Sequence, residues 1–229
     1  MIAKCKLRAD DFKFVLSFDL SEMLTGWSLI DREVDKVEMV GMIDLHNNKS
    51  ELIWTDFAQG VEDAFNAVEL TCERLGVDKS KVLVTKEKLP IQMGMKSTIT
   101  TLQTLSKCHG IFDLITYKRG FTVYDYDGIP APSVRCYFKK ITGVEKPDKV
   151  DVAKYIYDRY KEFDFEDTTY DVTDSIAVTI TLLERNYDKD ISEEIKNIKK
   201  EQKKYKTQKK KDQLQDEIVR LEGLKYNAL

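Results

Sequence analysis

The sequence predicts an α/β fold built as one large domain, residues 1–190, followed by a lysine-rich helical extension, residues 191–229. Two observations predict the class. Short apolar runs rich in strand formers alternate along the chain with segments whose apolar residues recur three and four apart. Lysine then crowds one stretch near the C-terminus, where the apolar stripe thins.

Residues 12–20, 25–32 and 37–45 read as three strands, and their short connections predict an antiparallel meander. The segment DFAQGVEDAFNAVELTCERLG reads as a helix on Phe57, Val61, Ala64, Phe65, Val68, Cys72 and Leu75, stopped at Gly76. KVLVT, Lys81 to Thr85, is a short buried strand that delivers Glu87 just past its end. After the loop KLPIQMGMK, Ser97 or Thr98 caps a second amphipathic helix with a stripe of Ile99, Leu102, Leu105, Cys108, Ile111, Phe112 and Ile115. FTVYDY is the fifth strand, and IPAP is extended because the residue before a proline avoids helix. Ser133 caps a short helix, VRCYFKKITG, and Asp148 or Asp151 starts the next. DVTDSIAVTITLLER is apolar on most sides and reads as a buried helix, with strand as the competitor because of its β-branched content. From about Ser192 a Lys- and Gln-rich helix carries Ile191, Ile195, Ile198 and Tyr205, then Leu214, Ile218 and Leu221.

Composition bounds the function. The chain of 229 residues is 42% hydrophobic, enough for a substantial core. No apolar run approaches the roughly 20 residues that span a bilayer, and MIAKCKLRADD lacks the apolar centre of a secretion signal. Cys5, Cys72, Cys108 and Cys136 are widely spaced and form no zinc motif with His46 or His109, which points to free thiols in a reducing cytoplasm. The net charge of −3 conceals segregation: residues 196–211 hold nine Lys and one Glu, and residues 86–140 hold nine Lys or Arg against four acids. Setting aside those stretches of +8 and +5 leaves −16 on the rest. Such a chain can offer a basic face to a polyanion, although a lysine run is also an ordinary solvated helix face.

The candidate chemistry lies in carboxylates. Asp19 ends the apolar run FVLSFD, and Glu87 follows KVLVT, so neighbouring strands would bring both to one carboxyl edge. Asp171 and Asp174, three apart at a helix start, share a face. Four such acids repel one another without a cation, and an all-oxygen set suits Mg²⁺ or Mn²⁺. Pairs of metal ions roughly 3.5–4 Å apart are a known solution for in-line phosphodiester hydrolysis. Each acid has a plainer reading: Asp171 as a helix cap, Asp174 as a first-turn acid, and Glu87 as a surface ion pair with Lys86 or Lys88.

FDLSEMLTGWSLID resembles the first motif of the RuvC family of Holliday-junction resolvases, within the ribonuclease H-like superfamily. VLVTKE with STITTLQTLSKCHG resembles the second motif, FKKITGVEKPDKVDVAKY the lysine-bearing segment, and DVTDSIAVTI the last, all in the family's order. The Lys-tailed character is most similar to the branched-DNA resolvases of lactococcal bacteriophages. The resemblance implies a five-stranded mixed sheet with helices on both faces. It implies a homodimer paired through the helix after Glu87, and catalytic metal ligands Asp19, Glu87, Asp171 and Asp174 holding two Mg²⁺ or Mn²⁺. It puts Lys107 on the pairing helix and Lys139, Lys140 and Lys149 near the scissile phosphate. The implied activity is metal-dependent resolution of four-way junctions, and of other branched DNA, in the cytoplasm (that of the host, for a phage protein), with no small-molecule cofactor and no membrane partner.

The loop after Glu87 departs from the family because it lacks the aromatic residue that bacterial members insert at the junction centre. Met93 and Met95 are the apolar candidates for that place, flanked by Lys88 and Lys96, while Leu89 and Ile91 read as packing under the loop. Lys199, Lys203 and Lys210 on the extension are candidates to grip a DNA arm. Two alternatives stand beside the nuclease: a non-catalytic branched-DNA binding protein, and a sugar kinase or actin-like ATPase, whose folds resemble the ribonuclease H-like fold. The ten glycines form no phosphate-binding cluster for the latter.

Overall fold

The computed structural model describes residues 11–46, 53–89, 99–124, 128–165, 168–202 and 208–227. Strands β1 (Phe14–Asp19), β2 (Leu24–Asp31) and β3 (Lys36–Asp44) form the predicted meander. Helix α1 (Ile53–Leu75) then carries the chain to β4 (Val82–Lys86), which pairs parallel with β1. Helix α2 (Ile99–Arg119) leads to β5 (Thr122–Val123), parallel to β4. The sheet order is β3-β2-β1-β4-β5, mixed as expected, with β1 at its centre. Helices α3 (Ala131–Thr142), α4 (Lys149–Arg159), α5 (Tyr170–Gln202) and α6 (Gln208–Asn227) complete the chain.

Strand alternation sorts side chains to two faces. Phe14, Leu16 and Phe18 of β1, Leu29 of β2 and Val84 of β4 pack with Phe57, Phe65 and Phe112 of α1 and α2. On the other face, Ile30 and Val37 join Phe138 of α3, Ile156 of α4 and Val172, Ile176 and Ile180 of α5. No helix among the described residues is long and apolar enough to cross a membrane.

Several expectations are corrected. Ile99 does not join the α2 stripe but stands 78% exposed, and Leu102 and Leu105 are only half-buried. Cys108, Phe112 and Ile115 of the predicted stripe are buried, joined by Thr104, His109 and Thr116, and Lys86 reaches this face to pair with Asp113. Strand β5 is much shorter than FTVYDY, with residues 125–127 outside the described set. Helix α3 starts before Ser133, directly after Pro130, with Pro132 in its first turn where a missing N–H costs nothing. The competing strand reading of 171–185 fails, since α5 is one helix that continues into the lysine-rich region. The two acids proposed to start α4 both act: Asp148 caps Val150 and Asp151, and the Asp151 carboxylate accepts from the Asp148 N–H in return. The Ser97 and Thr98 cap lies outside the described residues.

The chain divides into two compact units, Met1–Thr181 and Leu182–Leu229. Within the second, Ile195 and Ile198 of α5 pack on Leu214, Ile218 and Leu221 of α6. Gln202 donates from Nε2 to the Lys211 carbonyl at 3.0 Å.

Candidate active site

The period of two along β1 and β4 selects the site's face. Phe18 and its registered partner Lys86 point toward α1 and α2, so the next residues, Asp19 and Glu87, point toward α5. The Glu87 N–H donates to the Phe18 carbonyl at 3.0 Å, which extends the ladder to the rim. The surface ion pair with Lys86 is excluded by the same geometry. Lys86 is fully buried behind the sheet, hydrogen-bonded to Asp113 and 5.4 Å from the Phe112 ring centroid.

Helix α5 reaches that edge because its partners are small. Asp19 pairs with Gly26 across the β1–β2 ladder, and a Cβ on Gly26 would run into the Asp171 carbonyl and come within 2.5 Å of Val172 N. Deeper in the same interface Thr179 donates to Ser17 at 2.7 Å, Ser17 donates to the Ser175 carbonyl at 2.7 Å, and Ser175 donates to Ser28 at 3.0 Å. All four hydroxyls are buried. They fix the height of α5 on the sheet and so the level at which Asp171 and Asp174 stand. Asp171 is not the helix cap: it lies within the first turn, where it accepts from Thr169 Oγ1 at 3.3 Å.

Helix α3 is brought in by Gly128, whose φ of +82° lets the chain run beside β4. The Ile129 N–H donates to the Lys86 carbonyl and Lys88 N–H donates to the Ile129 carbonyl, both at 2.8 Å. A cleft of about 860 Å³ results, lined by Asp19, Glu87, Asp174, Arg135, Lys139, Lys146 and Lys149 among others.

Burial and neighbouring charges raise three of the acids. Burial, then Glu87, Asp174 and Asp171, hold the Asp19 carboxyl well above the usual range, while Lys149 opposes them. Burial and then Asp174 push Glu87 up to about 7 against Arg135 and Lys149. Burial also raises Asp174, although its hydrogen bond from Lys149 works the other way. The Lys149 ammonium stands 2.7 Å from Asp174 and 3.9 Å from Asp171.

Three of the predicted acids, Asp19, Glu87 and Asp174, thus line one cleft, and Asp171 lies 3.9 Å from the Lys149 ammonium that Asp174 binds. Among the described residues no group of three or more Asp, Glu, His or Cys side chains stands in a ready coordination shell. The donor set nonetheless fits a hard divalent cation: it is all carboxylate, Asp19, Glu87 and Asp174 are destabilised as anions first by burial and then by neighbouring acids, and a cationic group already sits beside Asp171 and Asp174.

The predicted DNA contacts fare unevenly. Lys139 and Lys149 line the cleft, and Lys139 is also paired with Glu145. Lys140 is exposed on α3 outside the cleft lining, and Lys88 lies just beyond Glu87. Lys107 lies over the Trp54 ring, 5.1 Å from its centroid. Lys199 pairs with Glu222 at 3.4 Å, and Lys210 is exposed on α6. Met93, Met95, Lys96 and Lys203 fall outside the described residues. Sequence reasoning missed Arg135, whose charge reaches Glu87 and Asp174. The available signal was its spacing, one helical turn before Lys139.

No protein-family model and no curated protein matches the chain. Solved structures do. The RuvC of Thermus thermophilus aligns at 12% identity with a TM-score of 0.52, covering 77% of this chain and 95% of that one. The T. thermophilus RuvC in complex with Holliday junction substrate aligns at 11% identity and a TM-score of 0.52, covering 77% and 94%. The central sheet, its parallel β1–β4 pair and the helices on both faces therefore form the ribonuclease H-like α/β fold of RuvC.

Proposed function

We propose that the protein is a metal-dependent, structure-selective endonuclease that resolves Holliday junctions, and other branched DNA such as forks and Y-junctions, by paired hydrolysis of phosphodiesters. The observation that carries this reading is that Asp19, Glu87 and Asp174 line one cleft at the rim of a RuvC-like sheet together with Arg135, Lys139, Lys146 and Lys149, with Asp171 3.9 Å from the Lys149 ammonium. A pure DNA binder gains nothing from buried acids beside a polyanion, because each costs desolvation and repels the phosphates.

Asp19, Glu87, Asp171 and Asp174 would hold two Mg²⁺ or Mn²⁺ ions, which would supply Lewis acidity for phosphodiester hydrolysis. The chain's own groups do the rest. Asp19 and Glu87 come from adjacent strands and are held by the ladder, so their carboxylates are fixed before substrate arrives. Arg135 and Lys139 offer cations along one wall of the cleft, where they can hold phosphates in register. Such contacts read backbone position rather than bases, so selectivity is for shape. Products carry 5′-phosphate and 3′-hydroxyl ends.

The reading extends to a homodimer in which each protomer cuts one of two opposed strands. Supporting it, Leu114 and Tyr117 stand 52% and 72% exposed, three apart on α2. The lysine-rich tail and the RuvC-like sheet together fit a phage-type resolvase acting in the host cytoplasm.

The test is cleavage of a labelled four-way junction, a Y-fork and a linear duplex with Mg²⁺. Wild type should leave paired symmetric nicks in the junction. Asp19→Asn should bind it with similar affinity and lose cutting by several orders of magnitude. Normal cutting by the variant would remove Asp19 from the site. Binding without cutting by wild type, with Mg²⁺ or Mn²⁺, would make the protein a branched-DNA binder.

A further inference from the structure

Resting on that reading of the four carboxylates as a metal site, we propose that Lys149 is the site's resident counter-cation: its ammonium holds the acids together in the metal-free protein and is displaced when a divalent ion binds. Lys149 is the first residue of α4, and the Asp148–Asp151 capping box anchors its backbone beside the cleft. From there its side chain reaches across to α5, hydrogen-bonding Asp174 at 2.7 Å with Asp171 at 3.9 Å. Its charge also reaches Asp19 and Glu87, so one ammonium addresses all four acids. Of the other lysines that line the cleft, Lys139 is paired with Glu145.

The contact competes with metal binding. A carboxylate oxygen donating its lone pairs to an ammonium at 2.7 Å is not available at full strength to a divalent ion, and the two cations repel at such range. The contact is also easy to leave. The Lys149 side chain is 58% exposed on a flexible four-carbon stem, so it can swing out without unpacking the core. Once released it remains at the cleft mouth, where a DNA phosphate is the natural acceptor. The lysine thus converts metal loading into the appearance of one extra cation for substrate.

The experiment is calorimetric titration of the full-length protein with Mn²⁺, without DNA, for wild type, Lys149→Met, Lys149→Arg and Asp19→Asn. Removing the competing cation should tighten Mn²⁺ binding by about tenfold in Lys149→Met, while Lys149→Arg stays near wild type. Thermal melts give an independent readout: Lys149→Met should melt lower than wild type without metal and gain more from saturating Mn²⁺. Lys149→Gln replaces Lys149→Met if the latter fails to fold. Equal or weaker binding by the neutral variant, with Asp19→Asn abolishing uptake, would overturn the inference and leave the metal site intact. No uptake by wild type or by the neutral variant would overturn the metal-site reading, and the inference with it.

Discussion

Glu87 illustrates how a single carboxylate is held for use. Its pKa is pushed up to about 7, first by burial and then by Asp174. The folded protein therefore binds this proton more tightly than the unfolded chain, whose glutamate titrates near 4.5. The resulting contribution to folding is complete below the unfolded value and is lost as pH rises through about 7. Asp19, also raised, adds to the same trend. Melting the metal-free protein between about pH 5 and 8 should show Tm falling with pH, less steeply in Glu87→Gln, and Mg²⁺ should flatten the fall. A wild-type Tm that rises across this window would contradict the burial of these acids. Asp19 and Glu87 were legible in the sequence because strand alternation and an apolar run locate a rim carboxylate without tertiary information. Arg135 was not, since nothing in its own neighbourhood says which way α3 faces.

At the scale of elements, the packing of α5 on the sheet sets where Asp171 and Asp174 stand relative to Asp19. Gly26 meets α5 backbone to backbone, so a methyl group there has no side chain to push aside. Gly26→Ala should cost about 1–3 kcal/mol in urea unfolding and depress cleavage far more than DNA binding, because Asp171 and Asp174 move with the helix. Wild-type stability and cleavage in this variant would refute the close approach. The helical state of 171–185 was ambiguous in sequence for a physical reason. Its Thr and Ser residues disfavour helix unless their hydroxyls find partners, and here they do. Thr173 donates to the Tyr170 carbonyl, Thr181 to that of Ala177, and Thr179 to Ser17 on β1. The last of these partners lies 162 positions away, out of reach of any local pattern. The α2 stripe misled in the same manner: a buried Lys86 recruits Asp113 from that helix, and no periodicity of apolar residues foretells a polar patch.

Across the whole molecule, acidic and basic surface are divided between parts of the chain. The stretch 196–211, with nine Lys and one Glu, spans the end of α5 and the start of α6. The apolar seam there is buried between those helices, and Lys196, Lys199, Lys200 and Lys210 are exposed. Changing Lys196, Lys200, Lys210 and Lys211 to Gln should weaken junction binding uniformly across DNA sequences. It should also flatten the salt dependence by about 0.9 in log–log slope for each duplex phosphate that is no longer neutralised. Anisotropy titrations over a range of KCl would measure it, and an unchanged slope would leave the segment as a solvated helix face. The charge segregation was readable from composition alone. That the two lysine-bearing helices share one seam needed the fold, since Ile198 and Leu214 belong to different helices and only their packing joins the interrupted stripe.

The acids of the site also come from both ends of the first unit, Asp19 near its start and Asp171 and Asp174 near its close. The parallel pairing of β1 with β4 and the hydroxyl contacts of α5 with β1 are all long-range, so each carries a loop-closure cost. During synthesis from the N-terminus, β1 to β4 emerge long before α5 does. A chain still on the ribosome, or truncated ahead of α5, holds half of the carboxylates and lacks the helix that sets their level. On the proposed reading, cleavage would require the completed unit, so a chain truncated ahead of α5 should bind no divalent ion at this rim and cut no DNA.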